Sequence, residues 1–477
     1  MATTKPHAAL LASPGMGHLI PVIELANRLF THHNFDVTVF TISTGTSPAT
    51  QSQHLTSNLF NVVTLPPIDI SGSVDPNADI SIQLLAMMRQ SIPSLRSAIN
   101  SMKSRPTALV VDFFSTASLA MADEFGMLKY VYMPNAALFA AMTLYAPAMN
   151  KNVESEFDSE NELLTIPGCR PLRFDDLVDA VQDRTGQMFD DYARVGAEMS
   201  TADAVLVNTW QDLDAITIGA LRNHKVLRET IKVPVYPVGP LTRQAQPSDS
   251  RSGVLDWLDM QSRGSVLYVS FGSGGTLSSQ QMTEMAWGLE LSRQRFVWVV
   301  RPPMENGALD YLNATNGCDG SLDFLPNGFL ARTKDVGLVI PMWAQQAEIL
   351  AHTSVGGFLS HCGWNSTLES IVNGVPLIAW PLFAEQSMNA AFLTEEVGVA
   401  YRPKVSPSKG VVMREEIEKM VRLIMEDNGM NSKRAKAKEL EKSAVQALSK
   451  GGSSYNSLSQ VAKNCQMKLN EHVICCD

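Results

Sequence analysis

Charge is scarce in this chain. Asp, Glu, Lys and Arg supply 18% of its 477 residues, and the formal net charge is −10. No basic stripe is available to neutralise phosphates, so neither nucleic acid nor an anionic membrane is an expected partner. The densest basic run, Lys433 to Lys442, alternates with Glu and Leu and reads as a solvated helix face. Cysteine is also sparse. The six, at positions 169, 318, 362, 465, 475 and 476, show no metal-ligand spacing, and adjacent Cys475-Cys476 suits no disulfide framework. A reducing, cytoplasmic location is expected. Long apolar runs are missing as well: the most apolar window, Ala136 to Met149, is short and contains Thr, Tyr and Pro, so no membrane-inserted helix is expected. Met1 to His7 is polar and the first apolar run, Ala8 to Ala12, ends in a glycine turn, which does not read as a signal peptide. No repeat with a period of 20–50 residues is visible.

What is present is hydrophobic content of 45% in a chain too long for one ordinary core, so two domains are expected. The first half alternates strand and helix signals: strands at Ala8 to Ala12, Asp36 to Thr41, Thr107 to Val111 (ending at Asp112) and Lys129 to Met133, with an amphipathic helix at Leu19 to Phe30. This rhythm predicts a parallel sheet flanked by helices. Val233 to Pro240, followed by Thr242 to Gly253, is rich in Pro, Ser, Gln and Arg and marks the linker region. The rhythm restarts with the strand Ser265 to Phe271, the helix Ser278 to Arg293 and the strand Arg295 to Val300. Asn306 to Leu325 reads as a surface insertion. Helices at Arg414 to Glu426, Ser432 to Leu448 and Ser453 to Leu469 close the chain. The expected division is an N-terminal domain at 1–240, a linker at 241–253, a C-terminal domain at 254–452, and a final helix and tail at 453–477.

The most informative stretch runs from Trp343 to Gln386. Val355 to Ser360 reads as a buried strand. His361 and Gly363 follow, then Asn365-Ser-Thr as a capping-type run before a helix at Leu368 to Val372. A helix starting there presents unpaired N–H groups and a positive dipole end to a diphosphate. Val375 to Trp380 is the next strand, and Glu385-Gln386 lie past its end. Ligands of open α/β sheets bind beyond the carboxyl ends of strands, so the segment reads as half of a nucleotide site.

Trp343-Ala-Gln-Gln, His361-Cys-Gly-Trp-Asn-Ser, Glu369 and Glu385-Gln386 resemble, in order and spacing, the signature box of the plant family 1 UDP-dependent glycosyltransferases. One position departs: Gln345 stands where the box usually has proline, which bears on turn stiffness more than on chemistry. The resemblance covers essentially the whole chain. Ser13-Pro-Gly-Met-Gly-His18 resembles the family's first loop, with its catalytic histidine, and Ser270-Phe-Gly-Ser273 resembles the loop that opens the second domain and touches phosphate. Leu267 to Leu277 looks most like the branch that glucosylates hydroquinone and other simple phenols or phenylpropanoids. The resemblance implies an α/β GT-B fold, two Rossmann-like domains facing a cleft, with the last helix returning to the N-terminal domain.

His18 follows a Gly-x-Gly turn after the first strand and is expected at the sheet's carboxyl edge. Imidazole titrates near neutrality, which suits a general base taking a proton from an acceptor hydroxyl. Asp112, ending another strand, could orient that ring. The bland alternatives are a helix-start histidine and a loop-capping carboxylate. A dinucleotide fingerprint fits poorly, because Ile20 occupies the third glycine position and Thr41-Ile-Ser-Thr offers no acid for a ribose. By resemblance, Ser273, His361, Gly363, Asn365 and Ser366 would serve the diphosphate. Glu369 would take the ribose hydroxyls and Trp343 would stack on uracil. Backbone of Ala344 and the side chain of Gln346 would contact uracil and ribose, and Trp364, Glu385 and Gln386 the sugar. The closing glutamine goes with glucose more than galactose. In isolation Trp343 reads as a core residue and Asn365-Ser366 as an N-cap. Asp212-Leu-Asp214 imitates the metal-binding acidic pair of the other main glycosyltransferase architecture, but at a helix start it is read as structural. No metal and no cofactor beyond the co-substrate UDP-glucose are expected.

Phe113, Phe114, Leu84, Met88, Ala137 and Met188 are candidates to line an acceptor slot, although such residues are more often core. Asn313-Ala-Thr and Asn365-Ser-Thr match the glycosylation acceptor pattern, but a glycan on Asn365 would block the phosphate site. The resulting expectation is an inverting glucosyltransferase that uses UDP-glucose and a small phenolic, phenylpropanoid or flavonoid-like aglycone to make a β-glucoside. Attack by carbon or nitrogen remains open, because the same base serves each. A nucleotide-sugar-binding protein without catalysis, or an NAD-dependent oxidoreductase, would be separated by an activity assay and by whether UDP or NAD raises the melting temperature. A monomer is compatible with the sequence, which leaves oligomeric state open.

Overall fold

The computed structural model describes residues 5–43, 59–75, 77–149, 163–243, 245, 253–303, 321–427, 429 and 432–474. Most of the insertion read at 306–325, most of the 241–253 linker, Asn313, and Cys318, Cys475 and Cys476 lie outside them. The chain forms two compact units, one of residues 1–174, 179–242 and 446–477, the other of 175–178 and 243–445.

In the first unit the strands are β1 (His7–Leu11), β2 (Asp36–Ile42), β3 (Asn61–Leu65), β4 (Ala108–Asp112) and β5 (Leu128–Met133). A small antiparallel pair follows, β6 (Leu163–Leu164) with β7 (Leu172–Arg173), and then β8 (Ala204–Val207) and β9 (Val235–Pro237). Seven of these form a parallel sheet in the order β3-β2-β1-β4-β5-β8-β9. The near-continuous apolar runs of β1, β4 and β8 are what a sheet covered on both faces requires. Helix α1 (Met16–His33) lays Leu19, Val22, Leu25, Ala26 and Leu29 on one buried face at helical spacing, against Leu10, Val39 and Val110 of the sheet. It begins three residues earlier than the Leu19 start expected from periodicity, which places His18 inside its first turn. The Pro-rich stretch at Val233 to Pro240 is not all linker. Val235–Pro237 is the outermost strand, an edge position where proline's missing N–H is tolerated.

The second unit repeats the plan with β10 (Val266–Ser270), β11 (Arg295–Val300), β12 (Gly337–Pro341), β13 (Val355–Ser360), β14 (Leu377–Ala379) and β15 (Ala400–Tyr401). Their order is β12-β11-β10-β13-β14-β15, again all parallel. Trp298 and Trp380 have no exposed surface and anchor its core with Phe296, Phe329 and Met285. Burial of each large apolar side chain contributes about 2 kcal/mol. In both sheets the strand order reverses at a point flanked by two crossovers: β1 beside β4, and β10 beside β13. Ligands of doubly wound folds bind at such switch points. No helix among the described residues is long and apolar enough to cross a membrane.

The stretch Ala136 to Met149 contains a helix, Ala137–Tyr145, of which eight residues are buried. Its first N–H, from Ala137, is accepted by Asp214 at 3.1 Å. Asp214 precedes the helix Ala215–Asn223, as the helix-start reading of Asp212-Leu-Asp214 expected, but it makes no cap bond to that helix. It is fully buried, and burial pushes its carboxyl up to about 6 against the partial compensation of Thr209 and Ala137. The folded state therefore holds this proton more tightly than the unfolded chain, and stability declines as pH rises from about 3.8 through 6. Asp214→Asn keeps an acceptor for Ala137 and removes the buried charge. At pH 7.5 it should be more stable than the parent, by roughly 3 kcal/mol at most, with the gap closing near pH 4.5 in denaturant titrations.

Candidate active site

At the first switch point, the loop after β1 and the end of β4 converge on one carboxylate. Asp112 has no exposed surface. Its Oδ1 accepts the hydroxyls of Ser13 at 2.6 Å and Ser115 at 2.7 Å, and its Oδ2 accepts the Ser13 backbone N–H at 2.9 Å. Oδ2 also lies 3.3 Å from His18 Nδ1, within ion-pairing distance but not aligned as a full hydrogen bond. Burial pushes the Asp112 carboxyl up. His18, then Ser13 and Ser115, outweigh burial and hold it below the usual carboxylate range, so it is ionised at neutral pH. Gly15, at φ +102, makes the turn that starts α1, and its carbonyl accepts the His18 N–H. The His18 ring is 24% exposed and meets Phe114 edge to face at 5.0 Å. The oriented imidazole thus keeps part of its surface exposed.

At the second switch point, the loops after β10 and β13 meet around His361. Its ring sits between two glycines: a Cβ on Gly272 would lie 2.5 Å from Cε1, and one on Gly363 2.4 Å from Nε2. Gly272 also has φ +76, so the loop needs glycine there twice over. Burial, then the nearby Arg301 guanidinium, lowers the His361 pKa to about 4. A neutral imidazole at pH 7 can donate one hydrogen bond without carrying charge. Cys362 follows at φ +65, and the turn is held by Asn389, whose Nδ2 donates to Cys362 O at 2.9 Å. Burial pushes the Cys362 thiol up to about 12, which leaves it inert.

The helix after this turn begins at Trp364 with Gly363 in the cap position and no side-chain cap. Asn365 and Ser366 are therefore first-turn residues, a correction to the N-cap reading. The Cys362 turn leads directly into a helix that starts at Trp364, four residues before the Leu368 start expected from the sequence. The Trp364 indole is 2% exposed and packs 6.1 Å from Phe392, so its ring is core and the backbone is the part of this residue left to face a ligand. Trp343 shows the opposite, at 55% exposure, although tryptophan in isolation reads as core. Gln346 Nε2 donates to Ser366 Oγ and Glu369 Oε2, each at 2.8 Å, which fixes the carboxylate. Gln345 has φ −73, a value proline would impose, so its departure from the box leaves the turn geometry intact. Ala344 is buried beside it. Glu385 precedes the helix Gln386–Ala391, and Gln386 Oε1 accepts the N–H groups of Leu382 and Phe383 at 2.9 and 3.2 Å. Ser273 is exposed on the loop after β10.

Of the acceptor-slot candidates, Met88 and Ala137 have no exposed surface and are core, consistent with their helix-packing positions. Leu84 and Phe113 are nearly so, while Phe114 and Met188 are half-buried. Ser115, Arg301 and Asn389 were not picked out from the sequence. Ser115 follows Asp112 by three residues and Arg301 directly follows β11, so both could have been found by asking what else ends a strand. Among the described residues, no group of three or more His, Cys, Asp and Glu side chains could hold a metal ion.

Residues 180–433 match the family model described as UDP-glucoronosyl and UDP-glucosyl transferase. The chain is 51% identical to anthocyanidin 3-O-glucosyltransferase 5 of Manihot esculenta, over 96% of this chain and 94% of that one. It is 49% identical to UDP-glycosyltransferase 72E1 of Arabidopsis thaliana, over 100% and 99%. Identity to the hydroquinone glucosyltransferase of Rauvolfia serpentina is 42%, over 98% and 99%. The crystal structure of TcCGT1 in complex with UDP superposes with a TM-score of 0.90 at 45% identity, covering 98% of this chain and 100% of that one. Phytolacca americana UGT2, complexed with UDP-2fluoro-glucose and pterostilbene, gives 0.85 at 38%, covering 96% and 99%. The chain belongs to the plant family 1 UDP-glycosyltransferases, in the group of the 72-type enzymes, and has their GT-B fold. It is a UDP-glucosyltransferase, and its family works without a metal ion.

The depressed His361 pKa has a measurable consequence. Between pH 6.5 and about 4 the unfolded chain binds a proton at this imidazole that the native state refuses, so stability falls as pH drops through that window. His33, also lowered to about 4, acts in the same sense. His361→Asn should lose less melting temperature than the parent between pH 6.5 and 4.5; equal slopes would contradict a desolvated, neutral imidazole.

Proposed function

We propose that this enzyme transfers glucose from UDP-glucose to a hydroxyl of a small phenolic aglycone in one inverting displacement, giving a β-glucoside. The observation that carries the reading is the His18–Asp112 pair: an ionised, fully buried carboxylate 3.3 Å from the Nδ1 of a partly exposed imidazole. Asp112 holds the ring with its proton on Nδ1, leaving Nε2 to accept the proton of the acceptor hydroxyl. The oxygen then attacks the anomeric carbon. The positive charge arising on imidazole is stabilised by the carboxylate.

UDP leaves toward Ser273, His361 and the first turn of the helix Trp364–Val372. Neutral hydrogen-bond donors and a helix N-terminus there offset the charge that builds on the leaving diphosphate. Uracil stacks on exposed Trp343, the ribose hydroxyls bind Glu369, whose carboxylate Gln346 orients, and glucose hydroxyls meet Glu385 and Gln386. The names of relatives support a phenolic acceptor: one glucosylates hydroquinone, and another was solved with pterostilbene. Phe114, beside the base and half-buried, is suited to meet such a ring.

Substitution of His18 by alanine should reduce kcat for a phenol by about 10²- to 10⁴-fold, the usual contribution of a general base, while the Kd for UDP stays within a factor of two. Asp112→Asn should reduce kcat as well and leave donor affinity unchanged. A panel of phenols, anilines and flavonoids with UDP-glucose, read by mass and by acid stability of the product, assigns the linkage. Full turnover by the His18 variant would refute the assigned base.

A further inference from the structure

We propose that Arg301 is a positioning residue of the donor site: its guanidinium sets the peptide planes of the loop after β10 so that the loop presents amide N–H groups to a nucleoside diphosphate. The proposal rests on the reading that this loop, around Ser273, holds the diphosphate.

Arg301 directly follows Val300, the last residue of β11, and β11 lies beside β10 in the sheet. Its side chain therefore reaches the neighbouring loop from beneath. Nη1 donates to Gly272 O at 2.6 Å and, more weakly, to Gly275 O at 3.4 Å. A second tie runs the other way, from Thr276 Oγ1 to Pro302 O at 2.8 Å. A trans peptide holds its C=O and N–H in one plane, pointing in opposite directions. Turning Gly272 O toward Arg301 therefore turns the Ser273 N–H away from it, and turning Gly275 O does the same for the Thr276 N–H. Loops that bind phosphate depend on this alignment of successive N–H groups.

The loop has little other freedom. A Cβ on Gly275 would lie 2.2 Å from Phe271 O, and one on Gly272 would strike the His361 ring. Displacing Gly272 thus also displaces His361, whose imidazole Arg301 helps to keep neutral. A guanidinium suits the task because Nη1 alone carries two N–H donors in a fixed plane, one for each carbonyl, and charge-assisted bonds are the stronger kind. A lysine ammonium is a strongly hydrated point charge on a flexible stem, so it fixes the two carbonyls less firmly.

The test compares two probes on the intact protein. UDP and uridine share every base and ribose contact and differ in the diphosphate, so calorimetric Kd values for both, in wild type, R301K and R301A, isolate the loop's contribution. Expected results are a 10- to 100-fold rise in Kd for UDP in R301A, a smaller rise in R301K, and a change below about threefold for uridine. KM for UDP-glucose should rise in parallel while KM for the phenol does not. R301Q replaces R301A if the latter fails to fold, judged by its melting curve. The proposal is overturned if R301A, or its substitute, binds UDP as tightly as wild type, or if UDP and uridine weaken by the same factor, which would indicate general loss of structure. If wild-type protein itself binds UDP no better than uridine, the loop is not a diphosphate site, and the donor-site reading fails before Arg301 is reached.

Discussion

The first unit is organised around a carboxylate that has no water to solvate it. A buried, ionised Asp112 would be prohibitively costly without partners, and three hydrogen bonds plus an imidazole offset that cost. Those partners come from three places: the loop after β1, the turn after β4 and the first turn of α1. The register that pairs Leu11 with Val111 brings Ser13 level with Asp112. The reactive geometry is therefore inherited from the sheet, and a shift of one residue in that register would leave both Ser13 and the carboxylate unsatisfied.

The second unit solves a different problem by the same topology. In the proposed reaction it would hold a highly charged leaving group without a metal ion, and at its switch point it offers backbone amides, a helix start and an uncharged imidazole. Glycine is the enabling residue. Gly272 and Gly363 let two loops close on His361 from either side, and Asn389 ties the left-handed Cys362 turn that aims the following helix. Rigidity here comes from side chains bonding to carbonyls, which leaves N–H groups as the material of the site.

Much of this was legible in the chain. The strands at β1, β4, β10 and β13 are short apolar runs with polar ends, and their bounds differ from expectation by a residue or so. His18 and Asp112 could be placed at strand ends from the sequence, and the 343–386 box stood out by its resemblance to the family's signature segment. What was not legible depends on distance in three dimensions. Arg301 and Gly272 are close only because β11 lies next to β10. Trp343 is exposed and the Trp364 indole is core, and neither exposure is encoded in the local sequence pattern. Met88 and Ala137 were pocket candidates although such residues are more often core, and their packing makes them core. The proline-rich stretch at Val235 to Pro237 resembled a linker because an edge strand tolerates the residue that an inner strand excludes.

In the proposed donor site, the amide of Gln386 carries a consequence for sugar recognition. Its carbonyl oxygen is occupied by two main-chain donors, Leu382 and Phe383, which also settles which way the amide is turned. Only the NH2 end remains for a hexose. This side chain can therefore test a sugar oxygen for its lone pairs but cannot accept its proton, and any discrimination that needs an acceptor must fall to the neighbouring Glu385. The two adjacent residues thus divide the reading of a diol between them, one offering hydrogen and the other receiving it.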